Sequence, residues 1–189
     1  MDKISSCQEC LQTWENDLAN YLLPKWDELP NLDLYMDQVI SLISQYLSVF
    51  PHDPHEQVIT ASTINNYVRL KLMPAPHKKR YNKIHLAYLL MICTLKQNMS
   101  IADIKKMLPL NLSLEEIPAF YDHYVDKHAR ASMYFLEQVK ILEPKGNLEE
   151  IKDFISQGAI IAGLIQILNA KLLPLCYDEA AEGKKAGKK

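Results

Sequence analysis

The chain has 189 residues and a formal net charge of −2, and 48% of its residues are hydrophobic and 23% charged, which is typical of a globular protein with one sizeable core or two small ones. Its five glycines all lie at or after Gly146, so the sequence has neither a Walker-type nor a dinucleotide-binding glycine loop. The same shortage disfavours glycine hairpins and an extensive antiparallel sheet. We therefore expect an all-α protein.

The N-terminal part of the chain predicts two helices. A first helix is expected from about Ser6 to Leu22, because Pro24 follows it. The stretch "PKWDELPNLD" then forms a connector, and "LYMDQVISLISQYLSVF" places apolar residues at helical spacing from Leu34 to Phe50. "PHDPHEQ" follows as a turn, since proline restricts both itself and the residue before it.

The middle of the chain has clearer helix boundaries. Thr60 is a candidate N-cap for a short helix that reaches about Lys71, and the loop "MPAPHKKRY" comes after it. Asn82 caps "KIHLAYLLMICTLKQ", which is apolar almost all round and should therefore be buried at the centre of the fold. Ser100 and Asp103 have the spacing of a capping box and predict another short helix.

The last third predicts two longer helices and a tail. The first helix begins near Ile117, and the second begins near Asn147 and contains "FISQGAIIAGLIQIL". Small residues in the second helix would allow another helix to approach closely, as in a subunit interface. They are Gly158, Ala159, Ala162 and Gly163. A membrane span is not expected, because Gln166, Asn169 and Lys171 would lie in lipid. The ending "EAAEGKKAGKK" predicts a disordered tail.

Two clusters have metal-binding residue types without a complete ligand set. Cys7 and Cys10 form one CxxC with no second pair, and "HDPHE" at 52–56 lies in the proline-held turn. No Ser-His-Asp order or paired carboxylates in an apolar setting indicate a catalytic site. We expect no metal, no cofactor and no enzyme activity. The four cysteines and the lack of a secretory signal favour free thiols in a cytoplasmic protein.

The charges are segregated along the chain. No acid occurs between Glu56 and Asp103, and these 46 residues carry seven cations, whereas the rest of the chain holds 14 cations and 23 acids. A basic segment within an acidic protein is expected of a phosphate-backbone binder, because acids there would repel the ligand. A short basic run can equally be a solvated surface. Composition alone leaves these two interpretations about even.

Four short motifs follow one another in this basic segment: "TINNY" (63–67), "KLMP" (71–74), "RY" (80–81) and "SIADI" (100–104). Their order and spacing resemble the DNA-binding head of MerR-type transcription regulators. That family has Thr-Ile-Arg-Tyr-Tyr in the recognition helix, Gly-Leu-Leu-Pro after it, an Arg-Tyr that closes a wing, and Ser-Leu-x-Glu-Ile in a later helix. Asn65 and Asn66 replace its Arg-Tyr pair, and Lys71 replaces its glycine. The chain is also similar to uncharacterised Gram-positive bacterial proteins with such a head.

The resemblance implies roles in DNA binding. Asn65 or Asn66 would pair with adenine in the major groove, although Asn65 can instead form a local cap or surface hydrogen bond. Phosphate contacts are expected from the helix and from the cations of the wing. Tyr67 is expected in the core, and Tyr81 either in the core or on DNA. The predicted DNA-binding residues are Ser62, Thr63, Asn65, Asn66, Arg69, Lys71, Lys78, Lys79, Arg80 and Tyr81.

The sequence thus predicts an all-α protein in which a MerR-like winged helix-turn-helix, with a short wing loop or minimal β-hairpin, is embedded in a helical bundle. The expected segments are an N-terminal helical segment (1–32), the head (33–110), a C-terminal dimerisation or effector segment (111–176) and a disordered tail (177–189). The predicted function is sequence-specific transcription regulation, as a homodimer on double-stranded DNA. The alternative is a protein-interaction module that keeps the helix-turn-helix fold without binding DNA. The effector remains unassigned.

Overall fold

The computed structural model describes residues 3–50, 58–142 and 148–175, and these are mostly helical. The α-helices are α1 (Lys3–Asn20), α2 (Met36–Tyr46), α3 (Ala61–Arg69), α4 (Lys83–Lys96), α5 (Ile101–Met107), α6 (Glu116–Leu142) and α7 (Leu148–Leu172), with a 3-10 turn at Trp26–Glu28. The described residues form no strand and have two isolated β-bridges. The all-α prediction is confirmed. The "HDPHE" stretch at 52–56, where no metal is expected, and the predicted tail at 177–189 lie outside the described residues.

The chain forms two compact units, one of residues 13–136 and one of residues 1–12 with 137–189. The larger unit extends beyond the segment expected for the head on both sides. It includes the end of α1 and the greater part of α6, which continues as one helix of 27 residues. Composition gives no sign of this division, because neither helix is interrupted by a proline or glycine where the division falls.

Helix α4 is the centre of the larger unit, as its apolar sequence predicts. Nine consecutive residues, His85 to Cys93, are buried, and α2 and α5 both pack against this helix. The Asn82 side chain accepts a hydrogen bond from the N–H of Ile84 at 3.1 Å, so the predicted cap is confirmed. Each large apolar side chain that is fully buried contributes about 1.5–3 kcal/mol. The other helices of this unit are therefore arranged around α4.

Helix α3 is short and is anchored by a few apolar residues. Thr60 caps it, since its hydroxyl oxygen accepts a hydrogen bond from the N–H of Thr63 at 3.2 Å. Ile64 and Tyr67 are buried in the core, and burial, with a smaller effect from Cys93, raises the pKa of Tyr67 to about 12. Tyr67 is thus a core residue, as the sequence predicts. Leu72 follows the helix and is fully buried, so the loop that begins there starts from a fixed point.

The first half of α6 is joined to the connector between α1 and α2. The Tyr121 hydroxyl donates to the carbonyl of Pro24 at 2.9 Å, and the N–H of Trp26 donates to the Asp122 carboxylate at 2.7 Å. The Tyr121 ring is fully buried. These hydrogen bonds link positions almost a hundred residues apart, so the connector and α6 are held together as part of one core.

The smaller unit contains α7, and none of the described residues of α7 is buried. This helix is long and apolar enough to cross a membrane by length and composition, which alone is a weak indication. Within the described part of the chain, nothing lies within 4 Å of where a Cβ atom on Gly158 or Gly163 would stand. The close helix contact that the small residues suggest is therefore absent from the described part of this chain.

Two histidines of the larger unit lie in its core or at the core's edge: His85 is buried and His128 is half-buried. His85 is 5% exposed, and its Nδ1 accepts a hydrogen bond from the N–H of Asn82 at 3.0 Å. His128 packs edge-on against Tyr21, with 5.2 Å between ring centroids. Burial lowers the pKa of His85, with hydrogen bonds to the backbone of Ala75 and Asn82 opposing the shift. Burial also lowers the pKa of His128.

These shifts predict acid sensitivity of the fold. Because the pKa of each histidine is lower in the folded chain, the unfolded chain binds more protons than the folded chain below about pH 6.5. Above that pH these histidines do not reduce the free energy of unfolding. Below it, the free energy of unfolding falls by up to about 1.4 kcal/mol per pH unit for each histidine. Urea unfolding between pH 7.5 and 5 measures this slope. His85→Gln should reduce the slope, because the glutamine amide oxygen can accept the same N–H without titrating. Equal slopes in wild type and His85→Gln would contradict the assignment.

Candidate nucleic-acid interface

The exposed face of α3 carries the first group of predicted DNA contacts. Ser62 and Asn65 are exposed, and Thr63 is half-buried. The Thr63 hydroxyl lies 2.9 Å from the hydroxyl of Thr60, the N-cap residue. The polar groups of Ser62, Thr63 and Asn65 therefore lie within the first five residues of the helix. This is the part of a recognition helix that contacts base edges and neighbouring phosphates.

The two asparagines differ in their surroundings, which the sequence alone does not show. The Asn66 side-chain oxygen accepts a hydrogen bond from the Arg69 guanidinium at 2.7 Å, and Asn66 is half-buried. Asn65 is exposed, one position earlier on the helix. Asn65 is thus the better placed of the two to pair with a base, whereas Asn66 orients Arg69 at the exposed end of α3.

The loop after α3 ends in a tight turn formed by two lysines. His77 and Arg80 form an antiparallel bridge, in which the N–H of Arg80 donates to the carbonyl of His77 at 2.9 Å. Lys78 and Lys79, between them, have φ of 48° and 60°. A two-residue turn with both central residues left-handed is of type I′, which favours Asn-Gly. Both lysines are exposed at the tip.

Lys71 is a third lysine in the left-handed region, with φ of 57°. It directly follows the last residue of the α3 cap, and its N–H donates to the carbonyl of Val68 at 3.0 Å. Glycine is the residue that adopts this conformation without strain at the end of a helix. The lysine side chain is exposed, so its position adds a cation next to Arg69 at the end of α3.

The Arg80 guanidinium packs on the ring of Tyr35. No pattern in the sequence predicts this contact. The Arg80 guanidinium carbon lies 3.6 Å from the centroid of the Tyr35 ring, and a guanidinium nitrogen donates to the Tyr35 hydroxyl. Tyr35 is the N-cap residue of α2, so this contact fixes the base of the lysine turn to that helix. Lys83 similarly lies over the ring of Trp26, with its ammonium 5.1 Å from the centroid.

Tyr81, predicted as a possible DNA contact, lies in the core instead. It is 3% exposed, and its backbone exchanges two hydrogen bonds with Leu34, at 2.7 and 2.9 Å. Its ring packs edge-on against His85, with 5.3 Å between the centroids. Burial raises the pKa of Tyr81. Pairing with Leu34 turns the side chain inward, so Tyr81 anchors the end of the loop.

A cleft of about 280 Å³ lies beside the lysine turn. Its polar lining includes Asp33, His77 and Arg80, and its apolar lining includes Leu110 and Leu112. In the sequence, Asp33 lies before the acid-free stretch. The charge pattern along the sequence therefore does not show that a carboxylate lies close to the basic loop in the folded chain. The carboxylate lies near the base of the loop, whereas Lys78 and Lys79 are at its tip.

The lysines of the loop are not neutralised by described acids. The three ion pairs between described residues are Lys25–Asp126, Lys106–Asp103 and Lys152–Glu149. Lys71, Lys78 and Lys79 belong to none of them. Of the predicted contact residues, Arg69 and Arg80 are thus held by neighbouring side chains, and these three lysines project without an acidic partner among residues 3–50, 58–142 and 148–175.

Comparison with known proteins gives one family and no further match. Neither the curated proteins nor the solved structures contain a match to this chain. A family model described as a domain of unknown function (DUF1836) matches residues 24–124. This range begins at the connector before α2 and ends within the core half of α6, so it contains the candidate interface and the helices that hold it. Because the match covers more than half of the 189 residues, the chain belongs to the DUF1836 family.

Proposed function

We propose that this protein is a cytoplasmic, sequence-specific DNA-binding transcription regulator without catalytic activity, which binds double-stranded DNA as a homodimer. In this proposal α2 and α3 form a helix-turn-helix, and α3 enters the major groove. The loop between α3 and α4 is a short wing, whose lysine turn contacts the flanking phosphates.

The observation that carries the proposal is the pair Lys78 and Lys79 in the type I′ turn. A left-handed conformation costs a residue with a side chain roughly 1–2 kcal/mol, and asparagine and glycine would form this turn with little strain. Strained backbone of this kind concentrates at functional sites. Two ammonium groups at the tip of an anchored loop are suited to reach phosphate oxygens, which gives a reason for lysine at both positions.

Two further features support the resemblance to MerR-type heads. Lys71 has the backbone conformation of a glycine, at the position where that family has glycine. Arg80 and Tyr81 close the loop by fixing it to Tyr35 and Leu34, at the position where that family ends its wing. In this assignment Asn65 reads a base, and Ser62, Thr63 and Arg69 contact phosphates. Asn66 and Arg80 position their neighbours.

We predict that DNA binding weakens steeply with salt and depends on the lysine turn. Lys78→Ala with Lys79→Ala should lower the slope of log affinity against log salt by about 2, roughly one unit for each phosphate that a lysine no longer neutralises. Fluorescence anisotropy with a labelled duplex from 50 to 200 mM salt measures this slope. Lys105→Ala with Lys106→Ala removes the same charge from α5 and should leave the slope unchanged. The prediction fails if the two double variants behave alike.

The strain in the turn makes a separate prediction about stability. Lys78→Asn with Lys79→Gly should raise the free energy of unfolding by about 1 kcal/mol or more, because both residues tolerate the left-handed region. The double alanine variant keeps the strain and should not gain stability. Urea unfolding compares the two, and both should lose DNA affinity to the same extent because they lose the same charges. A more stable variant that also binds DNA at wild-type affinity would show that the lysines have no role at the DNA.

The difference between the asparagines predicts which one gives specificity. An asparagine paired with adenine discriminates by about 1–3 kcal/mol against other bases. Selection of binding sites from random duplexes should therefore show that Asn65→Ala has no preference at one base position. In Asn66→Ala the selected sequence should be unchanged and the affinity lower, because Arg69 loses its hydrogen-bond partner. A changed base preference in Asn66→Ala alone would reverse the assignment.

The absence of any binding to pooled genomic duplexes at 50 mM salt would refute the DNA-binding proposal. The alternative is that the same basic surface meets an acidic protein, and capture of an acidic partner that the Lys78→Ala, Lys79→Ala variant fails to capture would then support it. Genome-wide mapping of bound sites distinguishes the two functions, since only a regulator enriches one motif.

A further inference from the structure

Helix α7 presents a large apolar surface that the described residues of this chain leave exposed. None of its described residues is buried, and Ile160, Leu164, Ile167 and Leu168 are between 54% and 63% exposed. A helix that is apolar on most of its circumference is normally buried, and contiguous exposed apolar surface of this kind marks an interaction site. Such a surface is stabilised when a partner removes it from water.

One stripe of α7 indicates which molecule this is. Asp153, Gln157, Ile160, Leu164, Ile167 and Lys171 recur at alternating spacings of four and three residues, and all six are exposed. Such spacing places residues along one line on the surface of a helix, where a second helix can pack against them. We call these six residues the seam. The seam is aliphatic in its middle, has an acid near its beginning and has a base at its end.

The seam is complementary to itself when two copies run antiparallel. The pairs Asp153–Lys171, Gln157–Ile167 and Ile160–Leu164 are all centred on the same position, Ala162. A two-fold axis at this position therefore places Asp153 of each copy opposite Lys171 of the partner subunit, once at each end. A parallel pair would place each charge opposite its like. Two-fold interfaces use the same patch on both subunits, which is the property this seam has.

We propose that a second copy of this chain covers α7, as an antiparallel helix pair in which Ile160, Leu164 and Ile167 form the contact and two Asp153–Lys171 ion pairs set the direction. This helix pair would be the subunit interface of the homodimer in the proposed function. It therefore rests on the proposed dimer, but it does not depend on DNA binding. Leu168 lies at the edge of the same seam and adds apolar surface to it. The small residues Gly158 and Ala162 lie on the opposite side of the helix and take no part.

A bilayer fits this helix less well than a second copy does. Between Asp153 and Lys171 there are 17 residues, which span about 25 Å, less than the roughly 30 Å of a hydrocarbon core. Four of the 17, namely Ser156, Gln157, Gln166 and Asn169, would place polar groups in lipid. In a helix pair in water, by contrast, Gln166 and Asn169 lie outside the seam and stay hydrated, and Ser156 lies at its edge.

The test is the oligomeric state of the full chain and of charge-reversed variants, measured by size-exclusion chromatography with light scattering. The wild type should be a dimer. Asp153→Lys and Lys171→Asp should each weaken dimerisation by about tenfold or more, because two attractive pairs become repulsive. The double variant should recover the dimer, since the charges are exchanged on both copies. Gln166→Lys adds a charge to α7 outside the seam and should leave the dimer intact.

Three results would overturn the pairing: a monomeric wild type, single reversals that dimerise like wild type, or a double variant no better than the singles. Flotation of the wild type with vesicles of phosphatidylcholine and phosphatidylglycerol would show a membrane as the occupant and overturn it too. Circular dichroism confirms that each variant is as helical as wild type. The anisotropy measurement with Lys78 and Lys79 is independent, so a dimer that does not bind DNA refutes the proposed function and leaves the helix pair standing.

Discussion

Burial of α4 on all sides is the constraint on which the larger unit depends. Nine successive residues with no exposed face can be stabilised only if other elements surround the helix. This requirement fixes where α2 and α5 pack and why aromatic residues of α6 turn inward. The Tyr124 hydroxyl, for example, meets the Thr94 hydroxyl on α4 at 2.5 Å. These two hydroxyl groups at the edge of the core are thus paired with each other rather than left in apolar surroundings.

The candidate interface is an attachment to this core, and its geometry comes from a small number of anchors. Leu72 and Tyr81 are buried at the two ends of the loop, and Tyr35 holds Arg80 between them. The tip stays exposed, and its backbone adopts a conformation unfavourable for lysine. Stability of the core therefore supports local strain at the tip. A loop with weaker anchors would relax and no longer hold the two ammonium groups in place.

The sequence was informative where the signal was local. Asn82 and Ser100 were recognisable as caps, and α4 as a buried helix, because the pattern of each lies within a few successive residues. The Arg80–Tyr35 contact joins residues 45 positions apart, and no periodicity connects them. The type I′ turn was also hidden, because Lys-Lys is not the residue pair that usually signals it. Whether Tyr81 faces the core depends on its pairing with Leu34, which the sequence around Tyr81 does not encode.

The hydrogen bond from Tyr121 to Pro24 brings the two ends of the family domain together. The family match runs from residue 24 to residue 124, and the bond joins positions close to its two ends. A domain whose ends meet can be inserted into, or removed from, a longer chain with little disturbance to its interior. The first and last parts of the matched segment thus lie together in one core, which is the arrangement that such an insertion requires.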